Sequence, residues 1–66
     1  MELFLNGEVH HHDGAETLAE LLKQCQAERG RTAVIVNGEV VRKGQMDDFR
    51  LRDGDRVELI VIAAGG

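Results

Sequence analysis

The stretch Val57-Glu58-Leu59-Ile60-Val61-Ile62 decides how this chain folds. All but one of its side chains are apolar, which is typical of a strand that lies in the interior of a sheet. The sequence therefore predicts a central strand here, introduced by a turn at Asp53-Gly54-Asp55. We expect its neighbour to be the first strand of the chain, running parallel to it.

Two Asn-Gly dipeptides predict the hairpins on either side of that central strand. They lie in the similar segments Leu5-Asn6-Gly7-Glu8-Val9 and Val36-Asn37-Gly38-Glu39-Val40. Asn-Gly between apolar segments is a strong hairpin signal, because both central residues of a type I′ turn need a positive φ, which these two residue types tolerate best. The chain should therefore contain two hairpins, one near its start and one in its second half.

A helix is predicted between the hairpins, beginning at Thr17. The pattern Thr17-x-x-Glu20 is a capping box, in which the threonine oxygen and the glutamate each satisfy an otherwise unpaired amide. Arg29 and Gly30 suit the end of this helix. One apolar stripe follows the spacing i, i+3, i+4 and i+7: Leu18, Leu21, Leu22 and Cys25.

The predicted order is strand, strand, helix, strand, strand, strand. One helix on one face of a mixed five-stranded sheet is an α+β roll. Residues 43–52 should be irregular, with Met46, Phe49 and Leu51 filling the core. The domain is predicted to cover residues 1–62, followed by a flexible tail at 63–66.

The predicted register leaves one face of the sheet without cover. If the helix covers the face that carries Val57, Leu59 and Val61, an apolar row remains on the other. A row of this size usually marks a contact surface; the alternatives are a homodimer interface or partial cover by residues 43–52. Its members are Phe4, Val9, Ile35, Val40, Ile60 and Ile62.

Composition excludes several kinds of partner. The formal charge of −4 repels a phosphate backbone, and 3% aromatic residues provide no stacking platform, so nucleic acid is not expected. The apolar run Leu59 to Ala64 is too short for a membrane span, and Met1-Glu2-Leu3 lacks a basic signal segment. Cys25 has no second cysteine to pair with, and we expect a cytoplasmic protein.

The residues that could perform chemistry are few, since the chain has no Ser or Tyr. Cys25 lies on the apolar stripe and should pack in the core. His10-His11-His12 could offer metal ligands, but nothing else completes a tetrahedral set, so no metal site is expected. The Asp47-Asp48 and Asp53/Asp55 pairs suit turns. We therefore do not expect the chain to be an enzyme.

The tail Ala63-Ala64-Gly65-Gly66 is the remaining candidate for a working part. Glycine lacks Cβ and can approach another surface closely. Such a tail could enter a narrow channel that larger side chains would block. The group delivered by it would be the Gly66 carboxylate.

Five segments in a fixed order allow a comparison with known families. They are Leu3-x-Leu5-Asn6-Gly7-Glu8, Thr17-Leu18-x-x-Leu21-Leu22, Val34-x-Val36-Asn37-Gly38-Glu39-x-Val41, Asp53-Gly54-Asp55-x-Val57-Glu58 and Gly65-Gly66. Together they resemble the ThiS family of sulfur carriers, which have the ubiquitin-like β-grasp fold. Three positions depart from the family pattern: Arg42 stands where Pro is frequent, Met46 where Trp is common, and His12 where the residue is usually apolar.

The resemblance implies that the protein is a substrate. A ubiquitin-activating-type adenylyltransferase would use Mg-ATP to adenylate the Gly66 carboxylate, with no cofactor bound by the carrier itself. A persulfide-bearing protein would convert the adenylate to a thiocarboxylate, and a thiazole synthase would receive the sulfur for thiamine. The open face would dock on the adenylyltransferase through Phe4, Ile35, Ile60 and Ile62.

Other functions remain open at this stage. Within the carriers they are the small subunit of molybdopterin synthase and carriers for cysteine or methionine synthesis. A protein modifier joined to lysines through Gly66 is a different class. A passive binding module with an incidental tail is a third.

Overall fold

The computed structural model describes residues 1–62. These residues form five strands, one α-helix and two short 3-10 turns. The strands are β1 Glu2–Leu5, β2 Glu8–His11, β3 Thr32–Val36, β4 Glu39–Val41 and β5 Arg56–Val61; the helix is α1 Leu18–Gln24, and the 3-10 turns are Arg29–Arg31 and Lys43–Gln45.

The five strands form one mixed sheet in the order β2-β1-β5-β3-β4. Strand β5 runs parallel to β1, with Phe4 opposite Arg56 and Leu5 opposite Val57. It runs antiparallel to β3 over a longer ladder, from Thr32–Val61 to Val36–Val57. The prediction of a central last strand beside a parallel first strand is therefore confirmed.

Both Asn-Gly dipeptides form the predicted turns. Asn6 and Asn37 have φ values of 50° and 51°, and the glycine after each has φ of 84°. Positive φ at both central residues is the type I′ pattern, whose twist matches that of the flanking strands. The two hairpins therefore have the expected register, with Phe4 opposite Val9 and Ile35 opposite Val40.

The helix begins where the sequence predicts. The Thr17 hydroxyl accepts the amide of Glu20 at 3.2 Å, which satisfies one of the first-turn donors. The Glu20 carboxylate, however, accepts a bond from Gln24 Nε2 at 3.4 Å. Within residues 1–62 the reciprocal half of the capping box is not formed, because this carboxylate is directed along the helix instead of back to Thr17.

The helix ends earlier than Arg29 and Gly30 suggest, and that prediction is wrong. Gln26 adopts φ of 56°; its amide donates to Lys23 at 3.1 Å, and the Ala27 amide donates to Leu22 at 2.9 Å. These two bonds form a Schellman motif, which stops a helix with one left-handed residue, usually glycine. A glutamine in that position gives no sequence signal, and Arg29–Arg31 forms a separate 3-10 turn.

The core lies between the helix and one face of the sheet. Met46 and Leu51 are buried within it and Phe49 packs against it, as predicted. The segment that carries them is tied to the helix entry, since the Leu18 amide donates to the Phe49 carbonyl at 3.0 Å and the Leu51 amide to Glu16 at 3.0 Å. Residues 43–52 therefore close the helix side and do not cover the open face.

His12 is part of this interior, with a relative exposure of 2%. Its Nε2 atom lies 2.6 Å from the carbonyl oxygen of Ala15. A carbonyl can only accept, so this nitrogen carries the proton. The Nδ1 atom has no hydrogen-bond partner among residues 1–62. A polar side chain thus fills a buried position.

Candidate functional site

The end of β5 is held to the sheet by its antiparallel neighbour. Val61 lies opposite Thr32, and the Ile62 amide donates to the Arg31 carbonyl at 2.6 Å. This is the last backbone bond of the ladder within the described chain. The predicted tail, Ala63, Ala64, Gly65 and Gly66, lies outside the described residues.

The sheet face opposite the helix is apolar and exposed, as the register predicts. The side chains of Phe4, Ile60 and Ile62 have relative exposures of 43%, 49% and 56%. Val9 and Val40 extend the row on the outer strands and are also exposed. Ile35 is half-buried by its neighbours on the same face. The position of the four predicted contact residues on one face is confirmed, and their binding role stays a prediction.

Two charged residues divide this open face. Arg56 lies beside Phe4, and Glu58 lies opposite Ile35, so both occupy the middle of the sheet on β5. Toward the end of the strand the face is apolar again at Ile60, which pairs with Ala33. The open face is therefore polar at its centre and apolar at the end of β5, where the described chain ends at Ile62.

The prediction for the covered face is wrong at Val61. Its side chain was expected beneath the helix with Val57 and Leu59, but it is 73% exposed. The helix ends at Gln24, and Val61 is not among the core residues that pack with it. Instead, Val61 borders a groove of about 250 Å³ whose other lining residues are Gln26, Ala27, Glu28, Arg31 and Thr32. The short helix thus leaves the end of β5 apolar and exposed on both faces, at Ile60 and Val61.

Cys25 does not form a reactive site. It is the C-terminal cap of the helix and packs, half-buried, against the core. Burial raises the pKa of its thiol above the ordinary value of 9.0. Little thiolate, the nucleophilic form, is therefore present at neutral pH. The prediction of a packing role for Cys25 is confirmed.

The aspartates of the last turn are structural, as expected. Asp55 accepts the Asn37 side-chain amide at 2.9 Å and the Arg52 backbone amide at 2.8 Å. Asp53 accepts the backbone amide of Glu2 at 2.7 Å. Asp47 forms an ion pair with Arg29. These carboxylates orient the turns and do not converge on a common point.

Residues 1–62 contain neither a metal-ligand cluster nor a membrane-spanning helix. No group of three or more His, Cys, Asp or Glu side chains there is arranged to hold a metal ion. His12 uses its Nε2 atom for the Ala15 contact. Over the same range no helix has the length and apolar character that crossing a membrane requires.

Sequence reasoning missed one feature that supports the site. The Oδ1 atom of Asn6 accepts the amide of Leu59, and that of Asn37 accepts the amide of Arg56 at 3.0 Å. Both turn asparagines therefore also bind the backbone of β5. The Asn-Gly pattern predicts the turns, but it contains no signal for a contact with a strand so distant in sequence.

The strand order, the parallel pairing of β1 with β5 and the single helix on one face define a ubiquitin-like β-grasp domain with an exposed apolar sheet face. Within that class, the chain belongs to the ThiS family, whose family model matches residues 3–66.

Individual relatives agree with this assignment. A sulfur carrier protein ThiS of Thermus thermophilus is 38% identical over 64 residues, covering 97% of this chain and 98% of the relative. The crystal structure of a thiamine biosynthesis protein (ThiS) from Geobacter metallireducens superimposes with a TM-score of 0.83 at 36% identity, covering all of both chains. A thiazole synthase of Paramagnetospirillum magneticum is 30% identical over 66 residues, which are 100% of this chain and 20% of that protein.

Proposed function

We propose that this protein is a sulfur carrier that delivers sulfur as a C-terminal thiocarboxylate on Gly66. The observation that carries the proposal is the family match, which runs from residue 3 through the diglycine to residue 66. The Thermus thermophilus relative, which bears the name of a sulfur carrier, matches over almost the same span. In this scheme the chain is a substrate of other enzymes.

The first step is activation of the terminal carboxylate. A C-terminal carboxyl group has a reference pKa of about 3.3 to 3.7, so at neutral pH it is ionised and is a poor acylating agent. An oxygen of this carboxylate attacks the α-phosphorus of Mg-ATP, bound by a ubiquitin-activating-type adenylyltransferase, and pyrophosphate leaves. The product is a mixed anhydride with AMP, in which the carbonyl carbon of Gly66 is electrophilic.

Sulfur enters in the second step. The terminal sulfur of a persulfide on a donor protein attacks the Gly66 carbonyl carbon, and AMP leaves. A second thiol then attacks the donor's sulfur in the resulting acyl disulfide. The S–S bond breaks, the two thiols become a disulfide, and the thiocarboxylate is released. Activation uses ATP, and release of the thiocarboxylate uses a free thiol, which persists in a reducing compartment, so we place both reactions in the cytoplasm.

The proposed acceptor is a thiazole synthase, for thiamine formation. The Paramagnetospirillum magneticum thiazole synthase supports this choice, because one fifth of that protein resembles the whole of this chain. The Geobacter metallireducens structure, described as a thiamine biosynthesis protein, supports the same pathway. Neither relative is named for molybdopterin, cysteine or methionine synthesis.

We propose that the open sheet face docks on the adenylyltransferase through Phe4, Ile35, Ile60 and Ile62. Three of these side chains are between 43% and 56% exposed although they are large and apolar. Burying such surface against a partner is favourable by about 25 cal/mol per Å² before the costs of association. The apolar end of this face at Ile62 lies next to the start of the tail, so docking here would bring the terminus to the partner.

Mass spectrometry of the protein isolated from its native host tests the proposal. We expect a fraction of the chains to carry one sulfur in place of one terminal oxygen, and that fraction should vanish when the adenylyltransferase gene is deleted. A chain lacking Gly65 and Gly66 should support no sulfur incorporation. An unmodified carboxylate in every sample, or activity of the shortened chain, would refute the carrier function.

A further inference from the structure

One edge of β5 has no strand beside it, immediately before the tail. The pairing of β5 with β1 ends at Leu5–Val57, because β1 turns away at Asn6. On the other edge, β3 continues alongside β5 as far as Val61. The last residues of β5 are therefore paired on one edge only, although the strand is central in the sheet.

The direction of the backbone groups follows from the bonds that are formed. The amide of Ile62 donates to Arg31 on the β3 side, so the amides of alternate residues, Leu59 and Val61, face the opposite edge. The Leu59 amide is satisfied there by the Asn6 side chain. Within residues 1–62, no hydrogen bond joins the Val61 amide, or the carbonyls of Leu59 and Val61, to another group on this edge.

This edge also lacks the devices that normally protect an open strand. Exposed edges usually carry charged residues, prolines or bulges that prevent pairing with other chains. The sequence Leu59-Ile60-Val61-Ile62 has none of these. Ile60 and Ile62 are exposed on the open face, and Val61 is 73% exposed on the helix face. A strand added at this edge would thus have exposed apolar side chains of β5 beside it on both faces of the sheet.

We propose that an extended segment of the adenylating partner pairs with this edge of β5 as an added strand, bonding to the backbone of Leu59 and Val61. This inference rests on the proposed function and specifies how the partner holds the carrier. Main-chain pairing of this kind gives affinity, while the side chains on alternate faces give specificity. Val61 lies five residues before Gly66, a distance of at most about 18 Å even when fully extended. A protein that acts on the terminus is therefore within reach of this edge.

A single backbone substitution tests the pairing without altering any side chain. The chain can be assembled from two synthetic peptides joined at Gln24–Cys25, with the amide before Val61 replaced by an ester. The ester removes the N–H donor that the partner would use. The matched control is the same change at His11, which is not part of the apolar row. His12 bonds to Met1 through both its amide and its carbonyl, so the amide of the preceding residue, His11, faces the outer edge of β2.

The measurement is protein-dependent exchange of labelled pyrophosphate into ATP by the adenylating enzyme purified from the native host through that same activity. We expect kcat/KM to fall about five-fold or more for the Val61 ester, as for the loss of one net hydrogen bond, and to stay unchanged for the His11 ester. Equal values for the two esters, whether both active or both impaired, would overturn the proposal. Absence of exchange with the unmodified protein would instead refute the proposed function.

Hydrogen exchange of the unmodified protein gives a second test that needs no variant. The Val61 amide should exchange rapidly in the free protein and become protected in the complex, while the His11 amide should be unaffected. An unprotected Val61 amide in a saturated complex would contradict the added strand. A dimer of the free protein that is dissociated by the Val61 ester would show that the edge binds a second copy, which also overturns the proposal.

Discussion

The side chain of Asn6 accepts the backbone amide of Leu59 at 2.9 Å, across 53 residues of sequence. Asn6 is thereby both a positive-φ turn residue and the last bonding partner of β5 on the β1 side. The contact joins the first hairpin to the strand that leads into the tail. It also marks the point on β5 beyond which the edge is open.

Replacing this asparagine tests how much the contact stabilises the fold. Asn6→Gly keeps a residue that tolerates positive φ but removes the acceptor, so we expect the free energy of unfolding to fall by about 1 kcal/mol in urea denaturation. Asn6→Asp keeps a side-chain oxygen and should lose less. If Asn6→Gly is as stable as the parent protein, the bond to Leu59 contributes nothing.

His12 provides a prediction about the core. Its buried Nδ1 atom has no partner within residues 1–62, whereas Ala15, its partner through Nε2, is an exposed residue. His12→Leu removes the unpaired nitrogen, and the Ala15 carbonyl can then bond to water, so the free energy of unfolding should rise by about 1 kcal/mol. His11→Leu, at the exposed neighbouring position, should change it by less than about 0.5 kcal/mol. A destabilised His12→Leu protein would mean that the imidazole is fully satisfied.

The half-buried thiol of Cys25 should make both its alkylation rate and the stability of the fold depend on pH. Because burial raises the pKa of the thiol in the folded protein, alkylation by iodoacetamide near pH 9 should be slower for the folded chain than for the same chain in urea. The raised pKa also means that the folded state holds its proton more strongly. The resulting stability is present below the unfolded pKa and is lost as the pH rises through the folded pKa.

Cys25→Ala is the control for this thiol. In this variant, the part of the decrease in the free energy of unfolding at alkaline pH that is due to ionisation of the thiol should be absent. Equal alkylation rates for the folded and unfolded chains would show that the thiol is not shielded.

Ile60→Asp tests the proposed docking face. Placing a carboxylate in the apolar end of a contact surface leaves a charge to be desolvated, so the rate of adenylation should fall about ten-fold or more at limiting carrier concentration. The side chain is 49% exposed, so the fold should survive, which circular dichroism can check. Ala15→Asp makes the same charge change at an exposed position beyond the sheet and should leave the rate unchanged. An unaltered rate in folded Ile60→Asp protein would refute the docking assignment.

Gly65→Val tests whether the tail must lack bulky side chains. A branched side chain next to the terminus should block a narrow channel in the partner, and the adenylation rate should fall about ten-fold or more, with a smaller loss for Gly65→Ala. Among residues 1–62 the buried core residues all lie between Leu3 and Val57, so we expect the melting temperature to be unchanged for both variants. Full adenylation of the valine variant would mean that the partner does not enclose the tail.

The sequence by itself determined the parts of this protein that depend on local sterics and on side-chain alternation. Asn-Gly tolerates the positive φ values that a tight turn requires, and the period of two along a strand then assigns every residue to a face. The start of the helix could be predicted from Thr17 because capping also depends on a local contact, between its hydroxyl and the amide of Glu20. The placement of Phe4, Ile35, Ile60 and Ile62 on one face therefore needed no tertiary information.

Only the tertiary structure decided where the elements stop relative to one another. The helix ends at Gln24 because Gln26 takes a left-handed conformation that its residue type does not predict. The early end of the helix leaves Val61 exposed. Strand β1 stops pairing with β5 at Val57, and this leaves one edge of β5 open within residues 1–62. Such features depend on contacts between residues far apart in sequence, such as Asn6 and Leu59, and local patterns carry no information about them.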